Sequence, residues 1–146
     1  MEMPKLVYHG TFWPEGDKLG SEGLRVTSSY VSTTPDKRWA EYFAMHGRWR
    51  HKLQPGTLSI YEIDTGKLPQ NVRENCIPPD GIDPRVLKWN DDLMRRSEEN
   101  LKSDRIKMQD WRFPYIPLEA IVNAEEEHKD ADPGLDLFTI GLLQPT

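Results

Sequence analysis

The sequence holds one cysteine, Cys76, so no internal disulfide can form and a thiolate zinc site has no ligand set. Long apolar runs are missing as well. The first residues, Met1-Glu2-Met3-Pro4-Lys5, turn apolar only briefly, whereas a secretory core needs about 7–15 apolar residues and a membrane-spanning helix about 20. The expectation is a chain without signal peptide or membrane segment, residing in the cytoplasm. Positive charge is scarce: the net charge is −5, and non-specific nucleic-acid binders are basic. A local basic cluster, Arg48, Arg50, His51 and Lys52, reads as a solvated loop that could touch a phosphate. The common catalytic signatures are also lacking. No G-x-G-x-x-G or Walker loop cradles a nucleotide. The four histidines, His9, His46, His51 and His128, show no H-x-x-x-H or H-E-x-x-H spacing, so no metal is expected. No G-x-S-x-G elbow supports a hydrolase triad.

What is present fits one domain over residues 1–146, with a modest core and long loops: 36% hydrophobic residues, 12 prolines and 10 glycines. Leu6-Val7-Tyr8 reads as a short strand ended by Gly10, and residues 14–29 as a loop. Tyr30-Val31-Ser32-Thr33 reads as a second strand. A helix follows, with Thr34 as N-cap, Pro35 at its first position and Gly47 as its stop. Trp39, Tyr42, Phe43 and His46 share one face of it and are read as packing on a sheet. Thr57–Asp64 is the clearest strand, and residues 65–90 read as a proline-rich loop. Asn90 is placed to cap a second helix over about 91–103, with Leu93, Met94, Ser97 and Leu101 on one face. Arg105 to Phe113 alternates like a strand, which puts Ile106, Met108 and Asp110 on a common face. Leu118–Asn123 reads as another strand before an acidic loop, residues 124–133, and the apolar tail, Leu135 to Leu143, as a final strand or short helix. Strands with two helices lodged between them imply an α+β domain with a mixed or antiparallel sheet.

Two motifs carry more chemistry than this framework. Tyr8-His9-Gly10-Thr11 closes the first strand, and Ser29-Tyr30-Val31-Ser32-Thr33-Thr34-Pro35-Asp36 stands about twenty residues on. A strand-end histidine can donate a hydrogen bond to a ribose hydroxyl. A glycine beside it lets the backbone approach a ligand amide, and a tyrosine face can stack on a ring. Ser32 or Thr33 can bond a ribose or hold the strand. Together with Thr57–Asp64 and Ile116-Pro117-Leu118-Glu119-Ala120-Ile121, these motifs resemble the NAD⁺-dependent ADP-ribosyltransferases of the His-Tyr-acid type. The small rifamycin-modifying transferases are similar in length and order, and the RNA 2′-phosphotransferases share parts of the pattern.

The resemblance implies an ADP-ribosyltransferase-like split mixed β-sheet with two or three helices and long loops. It implies a mono-ADP-ribosyltransferase that takes NAD⁺ as co-substrate, releases nicotinamide and modifies an unidentified acceptor: a protein, a nucleic acid or a small molecule. His9 would bind the adenosine ribose and Tyr30 would stack on nicotinamide, with Gly10, Thr11 and Ser32 completing the NAD⁺ contacts. Asp110 stands where the family carries its catalytic acid, and a buried structural carboxylate is the other reading of it. Glu119 is a rival for the acid. The rifamycin-modifying members place an Asp after the third strand, where this sequence offers only Asn71. Two other functions stay open. An RNA 2′-phosphotransferase would call for more phosphate-binding cations and a histidine in place of Tyr30. An inactive module would bind NAD⁺ or a protein without turnover.

Overall fold

The strand most legible in the sequence is the middle of the larger sheet. In the computed structural model, which describes residues 2–26, 30–82 and 92–131, β3 (Gly56–Asp64) pairs antiparallel with β1 (Leu6–Pro14) on one side and with β5 (Ile121–Lys129) on the other. A second sheet joins β2 (Val31–Thr33) to β4 (Trp111–Phe113), again antiparallel. Among the described residues three helices complete the α+β fold: α1 (Lys37–Arg50), the short α2 (Gln70–Glu74) and α3 (Asp92–Met108). Of the mixed or antiparallel sheet expected from the strand order, the antiparallel alternative holds for every strand pair among the described residues, in two sheets rather than the mixed sheet that the resemblance implies.

Side-chain alternation splits the core over the two faces of the large sheet. Val7, Tyr61 and Ile63 join Val31, Trp111, Phe113 and Ile116 on one face. Phe12, Leu58 and Ile60 meet Ala40 and Ala44 of α1 on the other. β1 does not stop at Gly10 but runs on to Pro14. Gly10 is required there by α1, because a Cβ would fall 1.7 Å from the Ala40 carbonyl oxygen.

Several local expectations change. The N-cap of α1 is Asp36, whose carboxylate accepts from the Arg38 amide at 3.0 Å. Thr34 pairs instead with Tyr8 of β1, N–H to O=C in both directions at 2.7 and 3.0 Å. Gly47 does not end α1, which reaches Arg50 and lays Gly47 close against Phe12. The stripe buried on the sheet is Ala40, Ala44 and Arg48 rather than the aromatic one. Small side chains let the helix approach closely, and the rings of Trp39, Tyr42, Phe43, His46 and Trp49 touch one another along its flank. Arg48 is buried, not solvated, and donates to the Asp130 carbonyl at 2.7 Å.

The residues 65–82 contain a 3₁₀ turn, Thr65–Lys67, as well as α2. Leu118–Ala120 is a 3₁₀ turn, and the strand after it is β5, which takes in most of the expected acidic loop. Its run of Glu residues hides a strand because β5 has both faces exposed and bonds to β3 through its backbone. Charge is also what keeps an edge strand from pairing with strangers. Asn90 and the tail from Leu135 to Leu143 lie outside the described residues.

The largest revision concerns Arg105 to Phe113. Residues through Met108 are helical, and only Trp111–Phe113 is strand. Gln109 takes a left-handed backbone, φ 52°. Its N–H bonds the Ile106 carbonyl at 3.2 Å, and the Asp110 N–H bonds the Arg105 carbonyl at 2.9 Å. These two bonds are the Schellman closure of a helix. Asp110 therefore sits in the turn between α3 and β4, not on a strand face shared with Ile106 and Met108.

Candidate functional site

The two sheets touch where β1 and β2 run side by side, and the Tyr8–Thr34 bridge joins them. No further β-bridge links these two strands among the described residues. A groove opens there, with two clefts that share Thr11 in their walls. The first, of about 570 Å³, lies under α1 and is lined by Gly10, Thr11, Ser32, Phe43, Arg50 and Asp110 among others. The second, of about 460 Å³, is walled by His9, Trp13, Val31 and the loop from Gly20 to Val26.

Ser32 is the joint between the expected site residues. Its carbonyl accepts from His9 Nδ1 at 2.7 Å, and its hydroxyl donates to Asp110 Oδ2 at 3.4 Å. The neighbouring residues fix this geometry. The Thr33 hydroxyl donates to the Trp111 carbonyl and the Thr34 hydroxyl to the Met108 carbonyl, each at 2.8 Å. Three consecutive hydroxyl side chains of the Ser32-Thr33-Thr34 run thus fasten β2 to the end of α3 and the start of β4.

Burial holds the His9 pKa below its ordinary value, against the opposing effect of the Ser32 bond. A neutral imidazole whose Nδ1–H is committed to a carbonyl has Nε2 left as an acceptor. A ribose hydroxyl would accordingly donate to His9, the reverse of the direction expected from the sequence.

Asp110 is 4% exposed. Burial raises its pKa, while Arg112, then Ser32 and Arg105, pull it back. Arg112 Nε lies 3.2 Å from Oδ2, the oxygen that Ser32 also contacts. The other oxygen, Oδ1, is buried with no hydrogen-bond partner among the described residues. A buried carboxylate oxygen without a donor is costly.

Tyr30 stands one residue ahead of β2, half-buried, and is not among the residues lining either cleft. Glu119 is exposed on its 3₁₀ turn, and Asn71 is exposed on α2; neither lines the clefts. Trp111 is core as expected, whereas Trp39 is only half-buried. Among the described residues no three His, Cys, Asp or Glu side chains are grouped to hold a metal ion, and no helix is long and apolar enough to cross a membrane.

Residues that pattern reading did not single out for the site are Arg112 and the α1 wall of Tyr42, Phe43 and His46. The only sequence signal for Arg112 is its place two residues after Asp110. That becomes informative once the β2–β4 register sets it opposite Ser32. His46 has its pKa lowered, mostly by burial and also by Arg50. No protein family, no curated protein and no solved structure matches the chain, so the functional reading rests on this geometry and on the motifs.

Proposed function

We propose that this protein is an NAD⁺-dependent mono-ADP-ribosyltransferase with an ADP-ribosyltransferase-like fold, whose NAD⁺ lies in the groove where β1 and β2 part. The observation that carries the reading is Ser32, which ties His9 through its carbonyl and Asp110 through its hydroxyl into one site. The groove suits such a substrate. Its main cleft, about 570 Å³, falls within the usual range for small-molecule sites, about 300–1,000 Å³. Aromatic rings of α1, the Arg50 guanidinium and the His51 imidazole border the same cleft as Asp110, a mix that matches rings and pyrophosphate. Asp110 Oδ1 lacks the donor that a ribose hydroxyl would supply.

In this reaction the bond between nicotinamide and ribose breaks, and its electron pair leaves with nicotinamide. Positive charge builds on the anomeric carbon, as in glycoside hydrolysis. A nucleophilic atom of the acceptor bonds to that carbon and gives up its proton. A fixed carboxylate lowers the barrier by facing the developing charge, which is the role assigned to Asp110. His9 accepts from a ribose hydroxyl through Nε2 and fixes the sugar. Tyr30, at the head of β2, is assigned to the nicotinamide ring by resemblance. The acceptor is a protein, a nucleic acid or a small molecule.

The test is nicotinamide release from NAD⁺ with cell extract as a source of acceptors. Folded His9→Ala and Asp110→Asn are each expected to lose on the order of 10²-fold or more. Undiminished release in both removes the site assignment. NAD⁺ binding without release identifies an inactive binding module, and transfer of an RNA 2′-phosphate to NAD⁺ identifies the phosphotransferase.

A further inference from the structure

The groove contains one charged contact that the reaction above leaves unused. Arg112 and Ser32 are cross-strand partners in the β2–β4 register, and both reach the same Asp110 oxygen, Oδ2, at 3.2 and 3.4 Å. The backbone of Arg112 is held from both sides. On one side it pairs with β2, and on the other its N–H and C=O bond Ile77 at 3.0 and 2.8 Å. The Asp110 backbone is itself fixed by its amide, which bonds the Arg105 carbonyl in the helix closure. With its backbone fixed and one oxygen gripped twice, the Asp110 side chain has one orientation left for Oδ1. That oxygen is buried and without a partner among the described residues, and Asp110 lines the main cleft.

We propose that Arg112 is a positioning residue: with Ser32 it grips Oδ2 of Asp110 and so fixes the orientation of the carboxylate in the cleft wall, leaving Oδ1 as the free acceptor. The inference rests on the transferase reading only for what Oδ1 would meet. Arg112 does not touch the substrate; it acts through Asp110. Its guanidinium also offsets the burial that disfavours the charged carboxylate. The other ionisable groups around Asp110 are Arg105, whose field acts in the same direction from α3, and His46, Arg50 and His51, which line the cleft from α1. Arg112 is the one bonded to the carboxylate, at 3.2 Å, so its loss should be felt most.

The experiment follows the Asp110 carboxyl by carbon NMR against pH, assigned with Asp110→Asn, in the wild type, Arg112→Gln and Arg112→Lys. Nicotinamide release is measured in parallel over the same pH range. In folded Arg112→Gln the Asp110 titration is expected to move to higher pH. The acid limb of the rate profile should move with it, and kcat should fall on the order of 10²-fold from misplacement of the carboxylate, with KM for NAD⁺ little changed. Arg112→Lys, which keeps the charge but not the fork, should restore the titration more than it restores kcat. An unmoved Asp110 titration in folded Arg112→Gln overturns the proposal, as does a change confined to KM. A wild type that releases no nicotinamide removes the transferase reading, while the carboxyl titration still decides whether Arg112 grips Asp110.

Discussion

At the scale of the residue, Asp110 stores free energy that the fold would be better without. Its pKa in the folded protein is raised above the ordinary 3.8, chiefly by burial. A group shifted that way contributes most below its unfolded pKa, and the contribution is lost as pH rises through the folded value. At neutral pH the folded state therefore carries an ionised carboxylate it disfavours. Asp110→Asn removes the charge and is expected to stabilise the protein at pH 7 by on the order of 1 kcal/mol, a few degrees in melting temperature for a chain of this size. The gain should shrink as pH falls toward 4. Melting curves of both proteins from pH 4 to 7 check the sign; a variant less stable at pH 7 would mean that Asp110 is a structural carboxylate. His9 works in the opposite sense. Its lowered pKa makes the unfolded chain the better proton binder below about 6.5, so its contribution is present above that pH and lost as pH falls toward the folded value.

The helix-to-strand turn after α3 governs where that carboxylate points. Gln109 occupies the left-handed position that favours glycine, at φ 52°. A side chain there costs about 1 kcal/mol. Gln109→Gly should stabilise the fold by roughly that amount and leave Asp110 in place, measured by chemical denaturation with nicotinamide release as the control; a destabilised variant would argue against the closure. The same turn explains what pattern reading could see. His9, Ser32 and Asp110 were legible as residue types at a spacing, and Thr57–Asp64 as a strand. The end of α3 was not, because the usual glycine is absent and the alternation from Arg105 onward mimics a strand until Asp110 and Arg105 are joined by a backbone bond. β5 was illegible for a different reason. Its residues 122–128 are exposed, so no apolar period marks it, and only pairing with β3 makes it a strand. The aromatic stripe of α1 was read correctly as one face but set against the wrong surface, since the two alanines at positions 40 and 44 allow closer packing on β1.

On the scale of the whole molecule, the three-stranded and two-stranded sheets share one β-bridge among the described residues, Tyr8 to Thr34, and the groove begins where that bridge ends. β3 pairs on both sides along its length, whereas β2 and β4 pair with each other over three residues. Local opening should reflect this difference, because short ladders with few bonds open at lower free energy than a doubly paired central strand. A ligand that bridges His9 on β1 and Asp110 beside β4 would stabilise the weaker sheet against the stronger one. NAD⁺ at 100 times its Kd stabilises any state that requires the bound form by about 2.7 kcal/mol. Amide exchange is therefore expected to slow on the order of a hundredfold at Val31–Thr33 and Trp111–Phe113 when NAD⁺ is added. At Ile60–Ile63, which opens only with the whole molecule, exchange should slow by a similar factor, because unfolding also releases NAD⁺. Thr34 is the discriminating position. Thr34→Val keeps the backbone bridge to Tyr8 but removes the hydroxyl bonded to the Met108 carbonyl at 2.8 Å, and leaving that carbonyl unpaired costs about 1–3 kcal/mol. In that variant β2 and β4 should exchange faster without NAD⁺, and part of the protection should return with it. No gain in protection at Val31–Thr33 and Trp111–Phe113 would mean that these strands open without releasing NAD⁺, and the groove between β1 and β2 would then not be its site.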